Sequence, residues 1–243
     1  MLRTASVTAS AYRRVRVLCA LGLLLGGCNA ETLFQSSFNT NALDAPPAPN
    51  QAAGTVSIAG DPGSVLIVPT PPNATSDQWV QIGRLSARTS AVASMEGNLS
   101  AVRGPGKYSF LAALYIPSGT GFASLDFQAV NVAPEPQSFL HLDFASNYPN
   151  PGTNVVRVND EANNYFGAFP NDHVFTVAVS FDTTAASPTA HVQLFGIGAS
   201  GSADIPLIPI AFAQQFGAIQ VWMGFPWAGA FDATDILVTH PTN

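Results

Sequence analysis

The chain has 243 residues, of which 47% are hydrophobic and only 10% are charged, a balance that excludes an intrinsically disordered protein. It shows neither a Gly-X-Y period nor a heptad run, which excludes collagen and coiled coils. The formal net charge of -6, with Lys107 as the single lysine, argues against a nucleic-acid partner, because phosphate binding needs clustered Lys and Arg.

Residues 1–27 are predicted to be a signal peptide. The segment has four basic residues and no acidic one, and the apolar run 17–25 follows the arginines. Nine apolar residues are too few to cross a bilayer, which takes about 20 in a helix. The four basic residues are Arg3, Arg13, Arg14 and Arg16.

The end of this segment, Leu25-Gly26-Gly27-Cys28, resembles the lipobox of bacterial lipoprotein precursors. The resemblance implies cleavage before Cys28 and attachment of lipid, palmitate included, to its thiol. Two or more acyl chains hold a protein firmly on a membrane. Asn29 is compatible with the outer membrane of a Gram-negative cell, because an aspartate there often marks inner-membrane retention in that family. We therefore expect a lipid-anchored protein of the bacterial cell envelope.

Residues 28–53 are predicted to form a flexible tether behind the lipid. The segment is polar and ends in a Pro-rich stretch, 44–51, of the kind that favours extended spacers. Leu33, Phe34 and Phe38 are its exceptions, and the sequence leaves open whether they dock on the folded domain or on lipid. Loss of residues 1–27 would leave five basic and 15 acidic residues, a net charge of -10.

Residues 54–243 are predicted to form one antiparallel β-sandwich domain. Polar and apolar residues alternate with a period of two in 123–129, 140–144 and 175–182, as they do in half-buried strands. Turn signals rich in Gly and Pro separate such segments, and many short strands joined by turns are typical of sandwiches and barrels.

Three segments of this domain resemble concanavalin-like and jelly-roll sandwiches, the folds of lectins and carbohydrate-binding modules. They are 173–182, 190–196 and the closing segment 231–238, in which an aromatic residue and two acids precede an aliphatic strand. The resemblance implies a glycan-binding role. It also implies a structural calcium ion near Asp232 and Asp235, since similar acids in jelly-roll modules help to hold one.

Candidate ligand-binding residues lie in two places. His141 and Asp143 are two apart on one strand, so they share a sheet face, where they could bind a metal or a sugar. The simpler interpretation, and the one we expect, is that they line the hydrated face of a sheet. Flat aromatic rings stack on sugars, and Trp222, beside Gln220, alternates with Val221 and Met223.

Two further tryptophans complete the set of aromatic candidates. Trp227 lies in a predicted loop, and Trp79 is the third. Ordinary packing in the core is the simpler interpretation of all three tryptophans, because Trp is usually largely buried.

The sequence carries no recognisable catalytic motif, so we expect no enzyme activity. Glycan hydrolases of this fold use Glu-x-Asp-x-x-Glu, and none of the glutamates has Asp two positions later. The segment 198–202 lacks the last glycine of Gly-x-Ser-x-Gly. The first hypothesis is therefore an anchored, noncatalytic binding module for a glycan or another ligand. The alternatives are a structural or assembly lipoprotein that binds an envelope protein, and a glycan-active hydrolase.

Overall fold

A computed structural model describes residues 30–74, 78–83, 92–101, 104–129, 137–161, 163–209, 216–224 and 229–242. For residues 216–224 it describes the backbone only. All regular elements in these ranges are β-strands, so the predicted all-β class is confirmed. Within them, no helix has the length and apolar character that a membrane span requires.

The strands are numbered in chain order. They are β1 (Ala30–Ser36), β2 (Thr55–Ala59), β3 (Val65–Pro69), β4 (Gln78–Ile82), β5 (Val92–Asn98), β6 (Lys107–Tyr115), β7 (Phe122–Ala129), β8 (Gln137–Ala145), β9 (Val155–Val158), β10 (Tyr165–Phe166), β11 (Val174–Asp182), β12 (Thr189–Gly196), β13 (Ser202–Pro206), β14 (Phe216–Gly224) and β15 (Phe231–Pro241).

These strands form two antiparallel sheets. The eight-stranded sheet has the order β13-β12-β11-β6-β15-β4-β3, and β1 pairs with β15 beside that path. The seven-stranded sheet has the order β10-β9-β8-β7-β14-β5-β2. Neighbours distant in sequence, such as β14 between β5 and β7, are typical of sandwiches rather than simple meanders. The predicted sandwich is therefore confirmed.

The hydrophobic core lies between the two sheets. Phe110 of β6 meets Phe127 of β7 edge to face, with 5.1 Å between ring centroids. Phe181 of β11 meets Phe139 of β8 in the same way at 5.3 Å. All four side chains are at most 4% exposed. Burying one such ring stabilises the fold by about 1.5–3 kcal/mol, so aromatic contacts hold the sheets together.

The prediction of a free tether over residues 28–53 is wrong from residue 30 onwards. β1 pairs with the last strand, from Ala30 opposite Pro241 to Ser36 opposite Ile236. The Pro-rich stretch is held as well, because the Asp44 amide donates a hydrogen bond to the Ile67 carbonyl at 2.9 Å.

The apolar residues of this segment explain why it folds onto the domain. Leu33, Phe34 and Phe38 are each at most 1% exposed and belong to the core. The Phe34 ring lies directly over Gly97 of β5, where a Cβ atom would come within 2.9 Å of it. The free energy gained by burying these three side chains is enough to fold the segment onto the domain, although the residues around them are mostly polar. Residues 1–29, with the predicted signal peptide and Cys28, lie outside the described residues.

Each sheet also has an outer face, turned away from the core. On the eight-stranded sheet this face carries an apolar cluster of Trp79, Val68 and Tyr115, of which Trp79 is fully buried. Trp79 is therefore a packing residue, as the simpler interpretation proposed. The outer face of the seven-stranded sheet is different, because a histidine and two aspartates are buried side by side on it.

Candidate functional site

Strand alternation in β7 and β8 builds the candidate site. Leu125 of β7 and Leu142 of β8 lie opposite each other and face the core. The residue before and the residue after each of them along its strand therefore face outwards. The register then brings polar residues together in pairs across the two strands: Ser124 lies opposite Asp143, and Asp126 lies opposite His141. We call the outer face of the seven-stranded sheet at these positions the polar face.

His141 is at the centre of this face, with carboxylates on both sides of its ring. Its Nε2 lies 2.9 Å from Asp143 Oδ1 and 3.5 Å from Asp160 Oδ1, and its Nδ1 lies 3.5 Å from Asp126 Oδ1. The main chain is fixed too, because the His141 amide donates to Asn159 Oδ1 at 3.0 Å. We call His141 and the three aspartates the aspartate–histidine cluster.

Hydroxyl and amide groups complete the hydrogen bonding of the two buried carboxylates. Ser124 Oγ donates to Asp143 Oδ1 at 2.6 Å. The Asp126 carboxylate accepts a hydrogen bond from the side-chain amide of Gln128 at 3.1 Å and another from the Ser138 hydroxyl. Buried polar groups are tolerated only where such partners are present, so these bonds offset the cost of burying both acids.

Arg157 extends the polar face onto β9. It lies opposite Asp143 in the register, and its Nη1 is 3.7 Å from Asp143 Oδ2. Its Nη2 donates to the Asp160 carbonyl at 3.2 Å. The guanidinium lies over two rings, with 5.2 Å to the centroid of Phe122 and 5.3 Å to that of Tyr148. Such a cation–π arrangement fixes the direction of the guanidinium.

The charge states of the cluster follow from these contacts. Burial opposes protonation of His141, but the hydrogen bonds to Asp126 and Asp143 and the charges of Asp143 and Asp160 raise its pKa to about 10. Burial likewise opposes ionisation of Asp143, yet His141, Ser124 and Arg157 together lower its pKa. At neutral pH the ring is therefore an imidazolium between carboxylates, with both nitrogens donating.

The same cluster is the group of side chains in the described ranges that could hold a metal ion. Ligand atoms of His141, Asp143 and Asp160 lie within 4.8 Å of one another. A metal would need a neutral imidazole, however, and the carboxylates favour the protonated ring. The imidazolium already supplies the positive charge that a metal would bring, so the residues present fit a metal poorly.

Asp232 and Asp235, the predicted calcium ligands, have other surroundings. Asp232 is 4% exposed and accepts a hydrogen bond from Gln81 Nε2 at 2.9 Å. Asp235 has a left-handed backbone with φ of 49°, where the pairing between β15 and β6 shifts register. Within the described ranges, neither belongs to a group of three potential ligands. Calcium at these two residues stays a prediction.

The outcome for the other predicted ligand-binding residues is mixed. His141 and Asp143 are brought together as predicted, but the expectation of a hydrated surface is wrong, because they are 6% and 5% exposed. In β14, residue 222 lies opposite Ser124, and residue 220 lies opposite Asp126. The register thus places Trp222 and Gln220 at polar-face positions. Trp227 lies outside the described residues.

Sequence reasoning missed Ser124, Asp126 and Arg157 as members of this site. One signal was present in β7, where Ser124, Asp126 and Gln128 alternate with apolar residues in a chain with few charges. A carboxylate in the middle of a strand of such a chain calls for a partner. The partner comes from another strand, and pairing across strands is not visible in local alternation.

No known family model matches the chain, and no curated protein sequence matches it. Solved structures do resemble it. One is the catalytic domain of a glycoside hydrolase family 131 protein from Coprinopsis cinerea, with a TM-score of 0.53 and 15% identity over 86% of this chain and 94% of that one.

Two further structures resemble it to a similar degree. Lectin I from Ulex europaeus, in complex with the methyl glycoside of α-L-fucose, has a TM-score of 0.52 and 9% identity over 87% of this chain and 98% of that one. The CBM2 module of the evolved Dit of Lactobacillus casei BL23 phage J-1 has a TM-score of 0.50 and 12% identity over 88% and 97%. The chain therefore has a lectin-like β-sandwich fold.

Proposed function

We propose that this protein is a noncatalytic binding module for glycans, held on the bacterial cell envelope by a lipid. The observation that carries the proposal is the polar face: paired strands bury the ion pair of His141 and Asp143 on the side of the sheet that does not face the core. A sheet that needed only stability would gain at least as much from apolar residues there, because replacing a buried ion pair by well-packed hydrophobic residues is often neutral or stabilising.

The chemistry of this face suits sugar hydroxyls. Carboxylates accept hydrogen bonds from hydroxyl groups, and the guanidinium of Arg157 donates them. His141 and Asp143 hold the exposed Asp160 carboxylate and the Arg157 guanidinium in place, so a ligand would lose little free energy in ordering them. Trp222, at a polar-face position, would add a stacking ring.

The charge state of Asp143 supports binding rather than hydrolysis. A glycosidase needs one carboxylic acid whose pKa is raised, so that it can protonate the leaving group. The pKa of Asp143 is lowered instead, by its bonds to His141 and Ser124 and by the charge of Arg157. We therefore expect no release of reducing sugar from any glycan that the protein binds. Release that stops in Asp143→Asn would instead favour the hydrolase alternative.

The lipid anchor is proposed from the lipobox-like sequence at Cys28. Because β1 begins at Ala30, only residue 29 would separate the lipidated cysteine from the first strand. The sandwich would then lie against the membrane rather than at the end of a spacer. Mass spectrometry of the mature N-terminus should show an acylated Cys28, and Cys28→Ala should release the protein from membranes. An unmodified cysteine would contradict the anchor.

A glycan screen tests the binding proposal. The purified full chain is applied to an array of glycans, once with calcium and once with EDTA. We expect retention on at least one glycan in both conditions, and its loss in Trp222→Ala at an unchanged melting temperature. Absence of signal on the whole array would contradict glycan binding. Signal only with calcium would instead favour the calcium site predicted at Asp232 and Asp235.

One observation favours the alternative of a protein partner. The hairpin between β12 and β13 exposes apolar side chains, with Ile197 83% and Phe195 46% exposed. Exposed apolar groups at one tip are typical of a protein contact. If the protein assembles with another envelope protein here, crosslinking in native membranes should capture a stoichiometric partner. The Ile197→Ser substitution should abolish that crosslink. A monomer in native membranes would count against this alternative.

A further inference from the structure

The accessible part of the polar face lies at one edge of the seven-stranded sheet. His141, Asp143 and Asp126 are all buried, and a ligand can touch only exposed atoms. Towards β10 the exposure rises: the side chain of Asp160 is 76% exposed, and Tyr165 is 43% exposed. The buried residues thus support an accessible surface that is formed by exposed residues such as Asp160 and Tyr165.

That surface is a group of rings around a guanidinium. Tyr165 lies opposite Arg157 in the register of β10 and β9, so both lie on the polar face. The Tyr165 ring stands at 88° to the ring of Tyr148, with 6.2 Å between centroids, and the centroid of the Phe122 ring lies 6.4 Å from that of Tyr148. Arg157 sits over Phe122 and Tyr148 and ties the rings to the aspartate–histidine cluster.

We propose that Tyr148 and Tyr165, together with the exposed Asp160 carboxylate, which lies between β9 and β10 in the chain, form a subsite for a pyranose residue of an uncharged glycan. An exposed flat ring packs against the apolar face of a sugar, and a carboxylate accepts hydrogen bonds from the hydroxyls at the rim of the sugar. This subsite rests on the proposed glycan-binding function and specifies where the ligand contacts the protein and what its charge is.

The charges at this edge select against acidic sugars. Arg157 is engaged by Asp143 and by the Asp160 carbonyl, so its charge is already compensated. Glu161, the next residue after Asp160, is also exposed, and its carboxylate accepts a hydrogen bond from the side-chain amide of Asn164 at 3.2 Å. A uronic acid placed here would be repelled by two exposed carboxylates with one compensated cation nearby, whereas the hydroxyls of a neutral sugar would donate hydrogen bonds to those carboxylates.

Affinity gel electrophoresis tests the subsite. The full chain runs through gels with the neutral polysaccharides laminarin, galactomannan or hydroxyethyl cellulose, or with the anionic polysaccharide alginate. We expect retardation by a neutral polysaccharide, a weakening of about tenfold in Tyr165→Ala, and recovery in Tyr165→Trp. Phe195→Ala is the matched control, because Phe195 is similarly exposed but lies on the eight-stranded sheet. It should bind like the original chain.

Each failure has a distinct meaning. If no neutral polysaccharide retards the original chain, the proposed function and the subsite both fail. If a neutral polysaccharide retards it and Tyr165→Ala is unchanged, the subsite alone is overturned. Stronger retardation by alginate than by any neutral polysaccharide would overturn the inferred charge of the ligand.

Discussion

The two outer faces of the sandwich show different ways of burying side chains. On the eight-stranded sheet, Trp79 packs with Val68 and Tyr115 and is fully buried. On the seven-stranded sheet, His141 and Asp143 are almost as well buried, but they are ions. The apolar cluster is stable through contact alone, whereas the ionic cluster depends on every partner being present.

This difference separates an apolar surface that stabilises the fold from the polar face that we propose binds glycans. Removal of an apolar group costs the free energy of its own burial and of the cavity that it leaves. Removal of one ion leaves the others uncompensated, which is a poor design for stability but a good one for holding charged groups in fixed positions. The predictions below test this comparison, in order of decreasing effect on stability.

The largest loss is expected in the apolar cluster. Trp79→Ala should lower the free energy of unfolding by about 3–5 kcal/mol, because a large fully buried ring leaves a cavity. Urea denaturation followed by circular dichroism measures the loss. Leu43→Ala, at a residue that is 48% exposed, is the control and should lose less than about 1 kcal/mol. A similar loss in both variants would contradict the packing role of Trp79.

A loss of similar or slightly smaller size is expected in the ionic cluster. His141→Leu removes the cation between the aspartates and should cost about 3 kcal/mol in the same assay. The matched control is His191→Leu, since His191 also contacts an aspartate, Asp204, at 2.6 Å, but both side chains are well exposed. That variant should lose less than about 1 kcal/mol. Equal losses would mean that burial does not set the strength of the cluster.

The pH dependence of stability should carry the signature of His141. Its pKa is raised from 6.5 to about 10, so its stabilising effect is complete below pH 6.5 and is lost as the pH rises through 10. The pKa of Asp143 is lowered, so its contribution is present above about pH 3.8 and is lost on acidification.

Urea titrations from pH 5 to pH 10 measure this signature. We expect the free energy of unfolding to fall by roughly 2 kcal/mol more between pH 6.5 and pH 10 in the original chain than in His141→Asn. Parallel profiles for the two proteins would show that the ring does not titrate as the contacts with the aspartates require.

The smallest effect on stability is expected at the edge of the polar face. Tyr165→Ala should change the free energy of unfolding by less than about 0.5 kcal/mol, because the side chain is 43% exposed on a strand of two residues. Its effect on neutral-glycan binding should nevertheless be about tenfold. A loss of stability above 2 kcal/mol would make Tyr165 a structural residue.

The fold class could be predicted because strand alternation is local. The segments 123–129, 140–144 and 175–182 lie within β7, β8 and β11, where the period of two indicated them. β1 escaped prediction because its neighbours are polar and rich in Pro, and its partner, β15, lies about 200 residues away. The composition of a segment is a local property, whereas the pairing of a strand depends on residues elsewhere in the chain.

The candidate site was predicted only in part for the same reason. His141 and Asp143 were found because they are two apart on one strand. Asp126, Arg157 and Tyr165 were missed because each reaches the site through a register between strands. Their burial and charge states also follow from those contacts, since a lone aspartate in a strand carries no sign of its partner.

The most direct test of the polar face as a glycan-binding surface is a chemical-shift titration of the ¹⁵N-labelled full chain with the neutral glycan that the screen retains. We predict the largest amide shifts in β7, β8 and β9 and around Tyr165, with little change in β11 and β12. Shifts confined to the eight-stranded sheet, or none at saturating glycan, would contradict the account.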